Sequence, residues 1–350
     1  MAISILWMDG FDEIGNINQK YKAAPEANPQ SSGTYTSRSN TTPPFAYGRF
    51  TAVYNGYLSR TLPSPPYTVL FSAFHMWAGY ILDNVSNRQI RFEFWNDTEN
   101  AAQCYVTLEY NRVRGAFDAV LVRGTTDVYT WQTGIQYQSW YHVSLRAFID
   151  DAAGSATLAV DGVDLGTYTG DTRALVSSGA DRFRLRYTVD DDRCFFVDDW
   201  IIATGLITDG LLPTARVYGA LVPSANVAVS WTPSSGANWQ CVDEIPHSSD
   251  SDYNWTGTVG NQDVFSHATI SNSGTNVLAV KVNSISRKDG APVESIQPLV
   301  RVSSTDYYGT AQEETTSYFS YGHIWQNNPA TGLPWTPADA QAAGFGYRRQ

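Results

Sequence analysis

Glu93 and Asp97 are the first residues whose spacing bears on chemistry. Alternate residues of a strand share a face, so an extended segment would set both on one side with Trp95 between them. Hydrolysis of a glycosidic bond needs two carboxylates about 5–9 Å apart. Trp95 occupies the position where the second acid is required, and no Glu-x-Asp-x-x-Glu strand is present, so no hydrolytic pair is expected. Arg182, Arg184 and Arg186 alternate in the same way and share one face. Such a stripe either binds an acidic partner or glycan, or pairs with acids on a neighbouring strand. Acidic residues cluster at Asp190-Asp191-Asp192, Asp198-Asp199 and Ser248–Asp252. Grouped carboxylates either hold Ca²⁺ or serve turns through local backbone bonds. Asp198 and Asp199 interrupt an apolar strand, so one must face inward and find a partner. Asp9-Gly10 or the arginine stripe would supply it.

The five histidines (His75, His142, His247, His267 and His323) show no metal-ligand spacing. His142 lies on the polar side of its strand, where a solvated or edge position is expected. Cys104, Cys194 and Cys241 are odd in number and widely spaced, which fits reduced thiols rather than a disulfide framework or a zinc set. Nucleophile elbows, P-loops, dinucleotide fingerprints and His-Glu-x-x-His are absent. No catalytic residue, metal ligand or cofactor site is therefore nominated.

These groups need a scaffold, and the composition indicates strands. The 350 residues carry 23 Lys and Arg against 34 Asp and Glu, a formal charge of −11. That balance disfavours binding to a phosphate backbone, which needs a clustered basic face. Charged residues are 16% of the chain and aromatics 13%, with 27 Gly and 16 Pro. A charge-poor, aromatic-rich, Gly-punctuated chain favours sheets. The 43% hydrophobic content is enough for a core. The opening residues have no basic segment and reach Asp9 early, so no secretory signal is expected. No run approaches the roughly 18 apolar residues of a membrane span.

Period-two alternation marks half-buried strands at Gln89–Trp95, Cys104–Asn111, Tyr141–Ile149 and Arg182–Val189. Asp161-Gly162 between Thr157–Val160 and Val163–Tyr168 is a two-residue hairpin signal. Asn28–Pro44, rich in Ser, Thr, Asn and Pro, reads as a long loop. A boundary is expected near Thr208–Pro213, dividing the chain into residues 1–207 and 214–350. The second part holds strand patterns at Val227–Trp231, Val277–Ser284 and Leu299–Val302, with a polar stretch at Pro233–Asn261. Its one helical pattern is Thr336–Ala343, with Thr336 as cap, Pro337 at the first position and Gly344 as the stop. The fold class is all-β: an antiparallel sandwich or jelly roll, then a second β-rich domain with a short C-terminal helix.

Four segments carry a resemblance. Leu6-Trp7-Met8-Asp9-Gly10-Phe11-Asp12, Trp140-Tyr141-His142-Val143, Val160-Asp161-Gly162 and Phe196-Val197-Asp198-Asp199-Trp200 occur in this order. Together they resemble the concanavalin A-like, laminin G-like jelly rolls of tailed-bacteriophage virion proteins, over about residues 1–204. The second half is similar to the corresponding part of those proteins through Trp239–Glu244, Asp252-Tyr253, Asp263-Val264-Phe265 and Asn328–Thr336. The resemblance implies a non-enzymatic structural component of a virion, either an external tail component or a capsid decoration. It implies assembly in the bacterial cytoplasm, other virion proteins as partners and a homo-oligomer. A host-surface glycan receptor is the alternative, and a polysaccharide depolymerase a more distant one.

Overall fold

The computed structural model describes residues 3–10, 51–54, 56–63, 65–77, 90–137, 139–187, 194–215, 217, 221–244, 248–270, 276–290 and 293–350. The loop expected at Asn28–Pro44, the Asp190–Asp192 cluster, His247 and the side chain of Cys194 lie outside them. The chain forms two compact units, the first ending at Tyr218 and the second running from Gly219 to Gln350. Among the described residues, no helix is long and apolar enough to cross a membrane.

The first unit is an antiparallel jelly-roll sandwich. Its back sheet runs β1 (Ser4–Asp9), β13 (Cys194–Thr204), β4 (Val69–Trp77), β9 (Trp140–Phe148), β10 (Ser155–Val160) and β11 (Val163–Thr169), with β2 (Thr51–Tyr54) also on β13. Its front sheet runs β3 (Gly56–Thr61), β12 (Arg182–Tyr187), β5 (Ile90–Asn96), β6 (Ala101–Asn111), β7 (Ala116–Arg123) and β8 (Thr126–Gln132). The inner faces meet through aromatic rings. Phe74 of the back sheet lies edge-on to Phe92 of the front sheet at 4.9 Å, and Phe183 of the front sheet lies 6.2 Å from Trp200 of the back sheet. Trp200 closes this core, fully buried, with its Nε1 donating to Ser72 Oγ at 3.0 Å.

The β10–β11 hairpin forms where Asp161-Gly162 indicates it. Both turn residues have positive φ, +50° and +76°, as the favoured two-residue turn requires. The back sheet departs from simple alternation, because β4 is buried on both faces over Val69–Met76. Its outer side is covered by the segment leaving the sandwich: Leu212 packs on Phe71, Ala73, Ile201 and Ala203, with Ala215 and Val217 alongside. Alternation detects strands with one wet face, and these strands have none.

In the second unit, a sheet runs β14 (Pro223–Val229), β17 (Gln262–His267), β23 (Gly344–Arg349), β19 (Ser295–Val302) and β20 (Thr305–Tyr308), with β21 (Gln312–Glu313) on β19. β15 (Thr232–Pro233) pairs with β16 (Asn254–Trp255), and β18 (Val280–Ser286) with β22 (Phe319–Trp325). Helix α1 (Pro337–Ala342) is capped at Thr336, whose Oγ1 accepts from Asp339 N at 3.1 Å while Asp339 Oδ2 accepts from Thr336 N. The core joins Val282, Val300, Trp325, Trp335, Ala340 and Ala343. A Cβ at Gly346 would stand 1.8 Å from the carbonyl oxygen of Asp263, so only glycine lets β23 approach β17 there.

Candidate functional site

The outer face of the front sheet gathers the arginine stripe and the two carboxylates. β12 and β5 pair antiparallel, with Arg182 opposite Trp95, Arg184 opposite Glu93 and Arg186 opposite Arg91. On the other side of β12, Ser59 stands opposite Arg184 and Tyr57 opposite Arg186. On the far side of β5, Glu93 faces Tyr105 of β6. Residues directly opposite share a face, so three strands distant in sequence build one surface. The cores of the same strands point inward through Phe92, Phe94, Phe183 and Leu185, all fully buried.

Each arginine of the stripe meets an acid, the cross-strand outcome among those expected. Arg182 NH2 donates to Asp97 Oδ2 at 2.7 Å and its NH1 to Ser59 Oγ at 3.1 Å. Arg184 Nε lies 3.4 Å from Glu93 Oε2, and Arg186 NH1 3.6 Å from Glu93 Oε1. The Arg184 guanidinium is stacked between two rings, 3.7 Å from the Trp95 centroid and 3.9 Å from that of Tyr57. Such contacts gain strength where water is excluded, and Arg184 is only 6% exposed. Arg91 lies over Tyr105 at 5.0 Å. Burial raises the Glu93 carboxyl above the usual carboxylate range, and the pull of Arg184, Arg186 and Arg91 only partly opposes this. Glu93 and Asp97 are thus held by separate arginines, not paired across an open site. Tyr57, Tyr105 and Arg91 complete the surface. Their signal in the sequence is parity alone, each lying on the polar side of an alternating strand.

A second polar cluster occupies the outer side of the back sheet. His75 and His142 are directly opposite on β4 and β9, with ring centroids 5.0 Å apart. His142 is 3% exposed, which corrects the expectation of a solvated or edge position: the segment past β13 covers it, and Thr214 Oγ1 lies 3.4 Å from its Nδ1. Burial, with the neighbouring His75, lowers its pKa to about 4. The partner of Asp199 also differs from expectation. A bulge between Asp198 and Ile201 puts Asp199 at φ +52°, so Trp200 enters the core while Asp199 turns to the outer side. There Asp199 Oδ2 lies 3.0 Å from His75 Nδ1, and its Oδ1 accepts from Val217 N at 2.7 Å. Neither the stripe nor Asp9-Gly10 supplies that contact.

The remaining candidates serve structure. Asp250 accepts from Arg287 NH2 at 2.9 Å and from Tyr318 OH at 2.8 Å, and Asp252 from Ser234 Oγ at 3.0 Å. Among the described residues, no three His, Cys, Asp or Glu side chains are grouped to hold a metal. Cys104 and Cys241 are buried free thiols, and burial pushes Cys104 up to about 12.

No protein-family model and no curated protein sequence matches the chain. Similar solved structures exist at the level of fold. The endo-β-1,4-glucuronan lyase of the fungus Trichoderma reesei is 11% identical, with 57% of this chain and 96% of that one covered and a TM-score of 0.37. A carbohydrate esterase of the Shiga toxin-encoding bacteriophage phi24B is 12% identical, covering 50% and 88%, with a TM-score of 0.36. A tetrameric galectin of the ball sponge Cinachyrella sp. is 12% identical, covering 41% and 96%, with a TM-score of 0.30. This finding corrects the expectation of a non-enzymatic protein, because a lyase and an esterase are among the similar sandwiches. The paired-carboxylate requirement behind that expectation applies to glycosidic hydrolysis and not to other reactions on a polysaccharide.

Proposed function

We propose that the chain engages polysaccharide on the outer face of its front sheet, as an external component of a tailed-phage virion that meets the host surface. The observation that carries the reading is the arrangement around Arg184. The Arg184 guanidinium lies between the rings of Trp95 and Tyr57 beside Glu93, and the neighbouring Arg182 is held by Asp97. Planar donors beside aromatic faces match the hydroxyl-rich edges and apolar faces of sugar rings. The virion part of the reading is supported by the motifs that carry the resemblance, which converge in space. Asp9 pairs with Trp200, while His142 and Asp199 both meet His75.

Binding of the purified chain to a panel of bacterial surface polysaccharides, together with immunogold labelling of purified virions, tests it. Expected are saturable binding to at least one polymer and label at the particle exterior. Absence of binding to every polymer removes the carbohydrate reading, and absence of label from intact particles removes the virion reading.

A second reading is that the same face cleaves the polymer it holds. Glu93 favours it, since a buried carboxyl whose pKa burial raises holds its proton more readily and is suited to proton transfer. Release of new chain ends from a bound polymer, lost in Glu93→Gln, is the expected sign. A polymer that stays intact after prolonged incubation contradicts this second reading.

A further inference from the structure

Arg186 and Arg91 stand directly opposite each other on one face of an antiparallel strand pair. Like charges in that position repel, and a sheet that keeps them has an anion to gain. The nearer of the two carboxylates, Glu93, lies one row away, 3.4 Å from Arg184 and 3.6 Å from Arg186, and Asp97, further along the strand direction, is hydrogen-bonded to Arg182. Beside β12 and β5 four guanidinium groups surround two carboxylates, with Glu109 of β6 and Asp118 of β7 further across the same face. The Arg186–Arg91 row itself, which continues to Tyr57 on β3 and Thr107 on β6, holds no carboxylate. The Arg186 side chain is 37% exposed, the most open of the stripe. Arg91 Nε is buried with no hydrogen-bond acceptor among the described residues. Tyr57 stands opposite Arg186, and Tyr105 lies under Arg91, so a ring borders the row at each end.

We propose that Arg91 and Arg186 form an oxyanion subsite that reads a carboxylate or sulfate group on the bound polysaccharide; this rests on the carbohydrate reading above. Two guanidinium groups side by side offer forked donors to one oxyanion, and each fork matches the spacing of two oxygens on a carboxylate or sulfate. The anion cancels the repulsion within the row, while Tyr57 and Tyr105 flank the sugar that carries it. Selectivity for acidic over neutral polymers thus resides in this row. Arg184 and Trp95, one and two rows further on, serve sugar units of either kind.

The test is titration calorimetry of the full chain with matched polymers: a neutral glucan, the same glucan carboxylated, and the same glucan sulfated. At least one anionic form is expected to bind ten-fold or more tighter than the neutral parent, with the advantage shrinking as salt is raised. Arg186→Gln, which leaves the Glu93–Arg184 contact in place, is expected to abolish that advantage, so that the variant binds the anionic form no tighter than the neutral parent. Arg186→Lys is expected to restore only part of it, since a lysine keeps the charge without the fork. Arg91→Gln provides an independent variant, and unchanged melting of each variant excludes misfolding. Carboxylated and sulfated polymers separate the two sources of the anion. Equal affinity of the wild type for neutral and anionic forms overturns the subsite and leaves the carbohydrate reading standing, as does an anionic preference retained in both glutamine variants. Failure of all three polymers, and of the wider panel, overturns both.

Discussion

Acidification should loosen the back sheet through His142, by an amount that follows from its surroundings. The ring is 3% exposed and 5.0 Å from His75, and its pKa falls from 6.5 to about 4. The folded state therefore binds a proton less readily than the unfolded chain. Stability from this group is complete above the unfolded value and is lost as pH falls from about 6.5 toward 4. The gap is worth about 3 kcal/mol, at 1.36 kcal/mol for each tenfold change. His142→Gln keeps a polar side chain of similar size without the titration. The measurement is urea unfolding of wild type and variant at pH 7, 5.5 and 4, followed by tryptophan fluorescence, since Trp200 lies in the same sandwich. At neutral pH the variant is expected to be the less stable. Relative to wild type it should then gain about 3 kcal/mol between pH 7 and pH 4, because only the wild type carries the cost of charging this ring. Titrating groups remote from His142 cancel in the difference. Parallel stability curves for the two proteins would refute the reasoning.

Three further outcomes are expected. Arg184→Ala removes two ring contacts and leaves Glu93 buried without its nearest cation. It should cost about 3–5 kcal/mol at pH 7 and less at pH 4, where Glu93 takes up a proton; urea unfolding at both values checks this, and an equal loss at each contradicts it. Gly162→Ala places a side chain at φ +76° in the β10–β11 turn. A loss of about 1–2 kcal/mol is expected, read as a lower melting temperature. In the second unit, Asp263 is fully buried and accepts from Ser230 N, Trp231 N and Asn238 Nδ2 at 2.8–2.9 Å. Asp263→Ala takes the acceptor from Trp231 N and one of two bonds each from Ser230 N and Asn238 Nδ2, at about 1–3 kcal/mol for the orphaned donor, so limited proteolysis should cut the variant within 221–350 and spare the sandwich.

Strand positions were legible wherever polar and apolar residues alternate. Arg182–Tyr187 alternates because its arginines lie on the outer face of the sheet and its aromatics inside, and Asp161-Gly162 announces its own turn. The capped helix was legible for a similar local reason, since Thr336, Pro337 and Asp339 act within one turn. β23 was not, because Gly344 and Gly346 occupy the positions where apolar side chains would have marked a buried face. For the candidate site, the sequence placed the arginines on one face and Glu93 and Asp97 on another strand. Which acid meets which arginine is fixed by a register joining segments some 90 residues apart, and no local pattern encodes that. The His75–His142 contact is hidden in the same way. His142 looked solvent-facing because alternation reports which side a residue takes, and not what later covers that side.

The central claim is that polysaccharide is held on the outer face of the front sheet, and hydrogen exchange read by mass spectrometry with and without a bound polymer tests it most directly. The expected result is protection concentrated in peptides covering residues 56–61, 90–96 and 182–187, with the back sheet and the second unit unchanged. Protection confined to other segments, or none at a polymer concentration that saturates binding, would contradict it.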